Sequence, residues 1–305
     1  MFVRDPVLAG LRLRVRPGDN PGRRLARLVS GLVGAPTTAA EVHALLDDLR
    51  RVQRPLTTCR RILVAAVRGG AGATTLTGLL ATVFATYRGD GALALETTLG
   101  HGSLEFRFSE SGPAAAGVWT ADQVAAMSQL PPSDVAERMS HEDHRVHLLP
   151  RPGHMGLDTY GEAARALMRF FGCAVIDGGH DALTQPGHLG TVHTVVLAIP
   201  ATVDGVRTAG IWFRETDPEL HARTVPVLME VSPGSRLDPA RVADALRDGG
   251  GASAVRALDA SSGRPHLLPY DRSLATGAPV RTGLLAHRTT PTVVRIAATA
   301  LALAG

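Results

Sequence analysis

The apolar run at residues 62–67 has no polar interruption of period two and so predicts a strand buried on both faces, and the short runs at 92–95, 146–149 and 173–177 predict further strands. Between and after them, apolar residues recur at helical spacing over 76–87, 119–127, 133–139, 161–171, 207–213, 239–246 and 292–303. Strand and helix in alternation predict an α/β fold, a doubly wound and mostly parallel sheet. Thr290 is the expected cap of the last helix, with Pro291 in its first turn. That helix carries Val293, Val294, Ile296 and Leu301 but only Arg295 as a basic residue, so packing on the sheet is expected rather than a membrane-targeting tail.

The first 58 residues read differently, as a basic extension with two short helices ahead of a domain at 59–305. Residues 1–20 show no period. Over 23–33, Leu25, Leu28, Val29 and Leu32 share one face opposite Arg23, Arg24 and Arg27. Such a helix suits a membrane surface or a partner, though docking on the main domain with solvated arginines is the simpler expectation. Thr38 and Glu41 form a capping box for a helix over 39–53, which Pro55 ends.

Candidate chemistry concentrates where the first buried strand meets its helix, at Arg68-Gly69-Gly70-Ala71-Gly72-Ala73-Thr74-Thr75. Strand, glycine loop and helix bring backbone N–H groups and a helix N-terminus toward a phosphate. Thr74 stands where a hydroxyl holds Mg²⁺ and Thr75 where a second hydroxyl touches a phosphate. The usual lysine is absent, its place taken by Ala73. All 32 basic residues of the Lys+Arg total are arginines, so no lysine replaces it, and the lost point charge is expected to stay unrepaired.

These eight residues resemble the deviant loop K-G-G-x-G-K-T-T of the ParA/MinD family of P-loop ATPases, with Arg68 and Ala73 in place of its two lysines. The family's later landmarks follow in order. Glu96-Thr97-Thr98-Leu99-Gly100 matches D-x-D-x-G with Thr98 in place of the second carboxylate, and Ser103-Leu104 fits its continuation. Cys173-Ala174-Val175-Ile176-Asp177 matches the Walker B strand. Residues 195–200 and 225–231 resemble the next strands, with Glu230 or Met229 where an adenine-reading asparagine is common. Residues 267–271 and 277–280 resemble the terminal strand and the G-x-P segment. The resemblance implies that residues 69–75 hold the phosphates of ATP, that Thr74 and Asp177 bear Mg²⁺, and that Arg68 and Glu96 complete the site. Loss of the loop lysine and of one carboxylate implies nucleotide binding that is weak or lost, and a degenerate ATPase. Degenerate members act as localising factors in pilus-assembly and secretion machines. The arginine-rich start before the loop is also similar to MinD-like proteins of type VII secretion in high-GC actinobacteria.

Composition narrows the alternatives. With 305 residues and 45% hydrophobic content, the chain can bury one large core. A net charge of +4 is too modest to demand nucleic acid, although nonspecific DNA binding through arginines stays open. At 4% aromatics, a base-stacking surface for single strands is not expected. Two cysteines, Cys59 and Cys173, suggest a reducing compartment. No run approaches the ~20 apolar residues that span a bilayer, so a cytoplasmic protein is expected, peripheral to membrane at most. His141, His144 and His147 beside Glu142 and Asp143 have metal-ligating side chains, but a strand and a loop do not bring them together by spacing alone. His101 and His180 follow the switch-like and Walker B turns, which face the loop in the resembling fold, so their imidazoles are candidates to reach the pocket, although surface histidines are the simpler expectation. The leading expectation is a pseudo-ATPase scaffold or localising factor, partnered by a protein of a membrane or secretion complex. The alternatives are a slow ATP-dependent homodimeric switch and a DNA-binding partitioning protein.

Overall fold

The computed structural model describes residues 18–19, 39–98, 104–108, 117–118, 120, 122–123, 126, 131, 134, 146–151, 156–180, 182, 191–234 and 237–305. The basic helix expected at 23–33, Thr38 of the capping box, and His101, His141 and His144 lie outside them. So do most residues of the helices expected at 119–127 and 133–139.

In chain order the elements are α1 (Ala39–Val52), β1 (Arg60–Ala66), α2 (Ala73–Tyr87), β2 (Ala92–Glu96), a 3-10 turn (Glu105–Arg107), β3 (Gly117–Val118) and β4 (Val146–Leu149). Then come α3 (Leu157–Met168), β5 (Cys173–Gly179), β6 (Thr194–Pro200), α4 (Val203–Glu215), α5 (Pro218–His221), β7 (Thr224–Met229), α6 (Pro239–Ala260), β8 (His266–Leu268) and α7 (Thr289–Leu303). The described strands form an eight-stranded sheet in the order β3-β4-β2-β5-β1-β6-β7-β8, every neighbouring pair parallel. After β1 the chain moves to β2 on one side; after β5 it crosses to β6 on the other. Such a reversal opens a crevice at the carboxyl ends of the central strands.

Strand alternation divides the core into two layers. Ile62, Val64 and Ala66 face α2 and α7, while Leu63 and Ala65 face the layer built by α3, α4 and α6. The seven residues of β6 are all buried, as an apolar run without alternation requires. The C-terminal helix α7 packs on the sheet as expected, with Val293, Val294, Ile296 and Leu301 fully buried or nearly so. Helix α1 lies against α7, where Asp48 Oδ2 accepts from Arg295 Nε at 3.2 Å.

Two helix boundaries correct the sequence expectation. α7 begins at Thr289, so Thr290 lies within it; the buried Thr289 donates its hydroxyl to Asp271 Oδ2 at 2.8 Å instead of capping its own helix. α6 runs past residue 246 to Ala260 through a kink at Gly251, whose φ of 63° only glycine adopts without strain.

Candidate functional site

The loop between β1 and α2 is shaped by two left-handed glycines, Gly70 at φ 77° and Gly72 at φ 90°. Gly72 occupies the N-cap of α2 and offers no capping side chain. The first helical hydrogen bond is Leu76 N–H to Gly72 O at 2.9 Å, so the amides of residues 73–75 precede the ladder and have no partner within it. Uncapped amides and the positive end of a 15-residue helix favour an anion there. They line a cleft of about 370 Å³, to which every residue of 68–75 contributes. His180, Met229, Glu230 and Tyr270 line it as well.

Asp177 ends the Walker B-like run and is fully buried. Its Oδ1 accepts from Gly179 N–H at 3.2 Å, while Oδ2 meets no donor in hydrogen-bonding geometry. Burial pushes its carboxyl above the ordinary range, opposed by the nearby Thr74 hydroxyl, Gly179 N–H and the Arg107 charge. An orphaned carboxylate oxygen beside a threonine hydroxyl fits the hard-oxygen environment of Mg²⁺. The cradle of amides likewise fits the phosphates of a nucleotide. Thr74 and Asp177 are the residues that would hold the ion.

Glu96 is placed differently. It pairs in register with Asp177 at the strand ends, but its carboxylate is buried and Oε1 accepts from Leu104 N–H at 3.0 Å. Burial raises its pKa, with the Leu104 hydrogen bond opposing. Neither Glu96 nor Asp177 is itself among the residues lining the cleft; Gly179 and Thr74, the neighbours of Asp177, are. Thr97 is also committed, donating both N–H and hydroxyl to Asp177 O at 3.0 and 2.8 Å.

The charges of the cleft correct one expectation. Ala73 is buried, and Arg68, on the rim, is half-exposed and bonded through Nη1 to Asp204 Oδ2 at 2.7 Å. A cation does enter from elsewhere in the chain: Arg107, from the 3-10 turn after β2, lines the same cleft. Its Nε and Nη1 are buried and have no hydrogen-bond partner. Sequence reasoning missed it because no motif marks the turn; the available signal was a lone arginine between Phe106 and Phe108 in an aromatic-poor chain.

The remaining candidates resolve simply. Glu230 Oε2 accepts from Tyr270 N–H at 3.0 Å, joining the ends of β7 and β8 at the cleft wall, and Met229 lies beside it. His147 is buried in β4 against Phe171, with ring centroids 5.0 Å apart. Among the described residues no group of three or more His, Cys, Asp or Glu is placed to hold a metal, and no helix is long and apolar enough to cross a membrane. Cys59 and Cys173 form no disulfide, and burial pushes both thiols up to about 12.

No family model matches the chain. It is 29% identical over 259 residues to the ESX-1 secretion-associated protein EspI of Mycobacterium tuberculosis, in an alignment covering 79% of this chain and 36% of EspI. The chain thus spans about a third of that relative's length. Among solved structures it resembles a ParA family ATPase from Chlorobium tepidum TLS, with a TM-score of 0.58 and 17% identity, covering 79% of this chain and 98% of that one. It also resembles a chain of the MinC:MinD cell division protein complex of Aquifex aeolicus, with a TM-score of 0.51 and 12% identity, covering 78% and 94%. The fold is that of the ParA/MinD ATPases, and the similarity to EspI accords with the secretion-associated resemblance read in the sequence.

Proposed function

We propose that this chain is a non-hydrolysing P-loop module of the ParA/MinD type, serving as a scaffold or localising factor for a membrane-associated secretion machine. One observation carries the first half. Buried, uncharged Ala73 stands at the loop's charge position, while the carboxylate surviving at the end of β2, Glu96, is spent on Leu104 N–H rather than facing the cleft. Phosphoryl transfer depends on charges fixed around the phosphates and on a residue that orients the attacking water. Here the loop charge is gone and the water-orienting position is turned away. Similarity to the secretion-associated EspI supports the second half.

Steady-state phosphate release from ATP with Mg²⁺ tests it. The expected rate equals the protein-free blank. Turnover that Asp177→Asn abolishes would instead make the chain an ATPase.

A dimeric switch is the second reading, favoured by the position of Arg68. Its ion pair with Asp204 is exposed on both sides and worth only ~0–1 kcal/mol, so Arg68 is free to exchange toward a second copy. Sedimentation with and without ATP separates the two: a scaffold keeps one mass, and a switch dimerises with ATP in a way that Arg68→Ala abolishes.

A further inference from the structure

We infer that Arg107 is the cation of this cleft, that it binds the polyphosphate of a ligand in place of the charge missing at Ala73, and that Glu96 positions it. The inference rests on the P-loop reading above but not on the absence of hydrolysis.

Burial comes first. A guanidinium carries five N–H donors, and a buried charged group without partners costs several kcal/mol. Among the described residues, Arg107 is the only side chain with two buried polar atoms lacking a partner. Among the described carboxylates, Asp177 is the one whose charge reaches it appreciably, and the two are not within ion-pair distance. Unmet donors of a cation and unmet amides of a helix N-terminus line one cavity. Their common complement is an anion with several oxygens. The volume of about 370 Å³ lies in the range of small-molecule sites rather than of a single ion. Met229, Val231, Leu268 and Tyr270 give part of the lining an apolar surface, so the phosphates can belong to a larger molecule.

The surrounding residues hold Arg107 in place. Its carbonyl accepts from Val280 N–H at 2.8 Å, tying the turn to the loop before α7. Its Cβ lies 3.1 Å from where a side chain at Gly78 would begin, so α2 approaches closely only because that residue is glycine. The turn is anchored at its start by fully buried Leu104, whose N–H is the one held by Glu96. Leu104 O in turn accepts from Arg107 N–H at 2.9 Å. Glu96 therefore acts through the turn: its carboxylate fixes the segment that delivers the guanidinium.

The test is calorimetric titration of the 305-residue chain with Mg²⁺-pyrophosphate and, separately, Mg²⁺-ATP at low ionic strength. Both are expected to bind. Arg107→Met, which keeps much of the buried stem, should weaken both at least tenfold, while Arg107→Lys should lose less. Ala73→Lys added to Arg107→Met should restore binding, which also shows that the Met variant is folded. Glu96→Ala should weaken binding, and Glu96→Gln, which keeps an acceptor for Leu104 N–H, should rescue most of it. Pyrophosphate binding identifies the polyphosphate as the recognised group; binding of ATP alone, unchanged in Arg107→Met, overturns the inference. So does a wild type that binds neither. Phosphate release assayed on the same samples keeps the two proposals apart. Arg107-dependent binding with turnover removes the non-hydrolysing role and leaves this one standing, whereas Arg107-independent binding without turnover does the reverse.

Discussion

Two arginines with well-buried guanidinium nitrogens sit toward opposite ends of α2, and their surroundings differ. Arg88, at the C-cap, donates to Val52 O at 2.6 Å, to Arg54 O at 3.0 Å and to both oxygens of Asp90 at 2.9 and 2.6 Å. Arg107, near the N-terminal end, leaves two buried nitrogens with nothing. Two buried aspartates repeat the contrast. Asp271 receives Ser273 N–H, Ala286 N–H and the Thr289 hydroxyl at 2.7 to 2.9 Å, whereas Oδ2 of Asp177 receives none. Closed polar networks join pieces of chain, Arg88 holding the end of α1 and Asp271 holding the start of α7. Arg107 leaves its open network at the cleft, although other unpaired buried atoms, such as Trp212 Nε1 and His266 Nε2, lie elsewhere. A buried polar group left unpaired costs stability, so one that lines a cavity beside free helix N-terminal amides is placed where a ligand would complete it.

The contrast is sharpest in stability. Arg88→Ala should cost about 3 kcal/mol in urea unfolding, because it strands two carbonyls and a carboxylate. Arg107→Met should cost little or stabilise the ligand-free protein, since it removes an unpaired buried charge. Equal losses at the two sites would break the comparison. Next in size, Asp271→Asn should cost about 2 kcal/mol and Asp177→Asn roughly nothing, with the second variant losing any Mg²⁺ dependence of nucleotide binding.

A pH-dependent effect probes an unpaired group away from the cleft. Buried Nε2 of His266, on edge strand β8, has no partner, and burial beside Arg295 and Arg264 lowers its pKa from 6.5 to about 4. Its folded form is neutral, so its contribution is complete above about pH 6.5 and is lost as pH falls toward 4. By pH 5 the loss should be about 2 kcal/mol, and His266→Phe should flatten that part of the pH profile. Glu96 and Asp177, whose pKa values are raised by burial, run the other way: their cost grows as pH rises above the ordinary carboxylate range. Anions should leave the His266 slope unchanged, because it lies outside the cleft.

The sequence makes the sheet and the loop legible for a local reason. An apolar run followed by Gly70, Gly72 and a helical period specifies strand, turn and helix within twenty-odd residues, and Ala73 announces its missing charge directly. Arg107 was hidden because its role comes from tertiary placement. Nothing local distinguishes it from any surface arginine until the Glu96–Leu104 hydrogen bond and the small Gly78 bring its turn over the cleft. Glu96 itself was read as facing nucleotide, since spacing shows that a strand ends in a carboxylate but not which way the carboxylate turns. The start of α7 failed for a related reason: Asp271, 18 residues earlier, draws the Thr289 hydroxyl to itself.

The most direct measurement is a crystal structure of the chain grown with ATP and Mg²⁺. The expected density places phosphate oxygens within hydrogen-bonding distance of the amides of residues 73–75 and of the Arg107 guanidinium, with the γ-phosphate still attached and the metal beside Thr74 and Asp177. A cleft that stays empty at saturating ATP, or a nucleotide bound there with Arg107 turned away from it, would contradict the assignment.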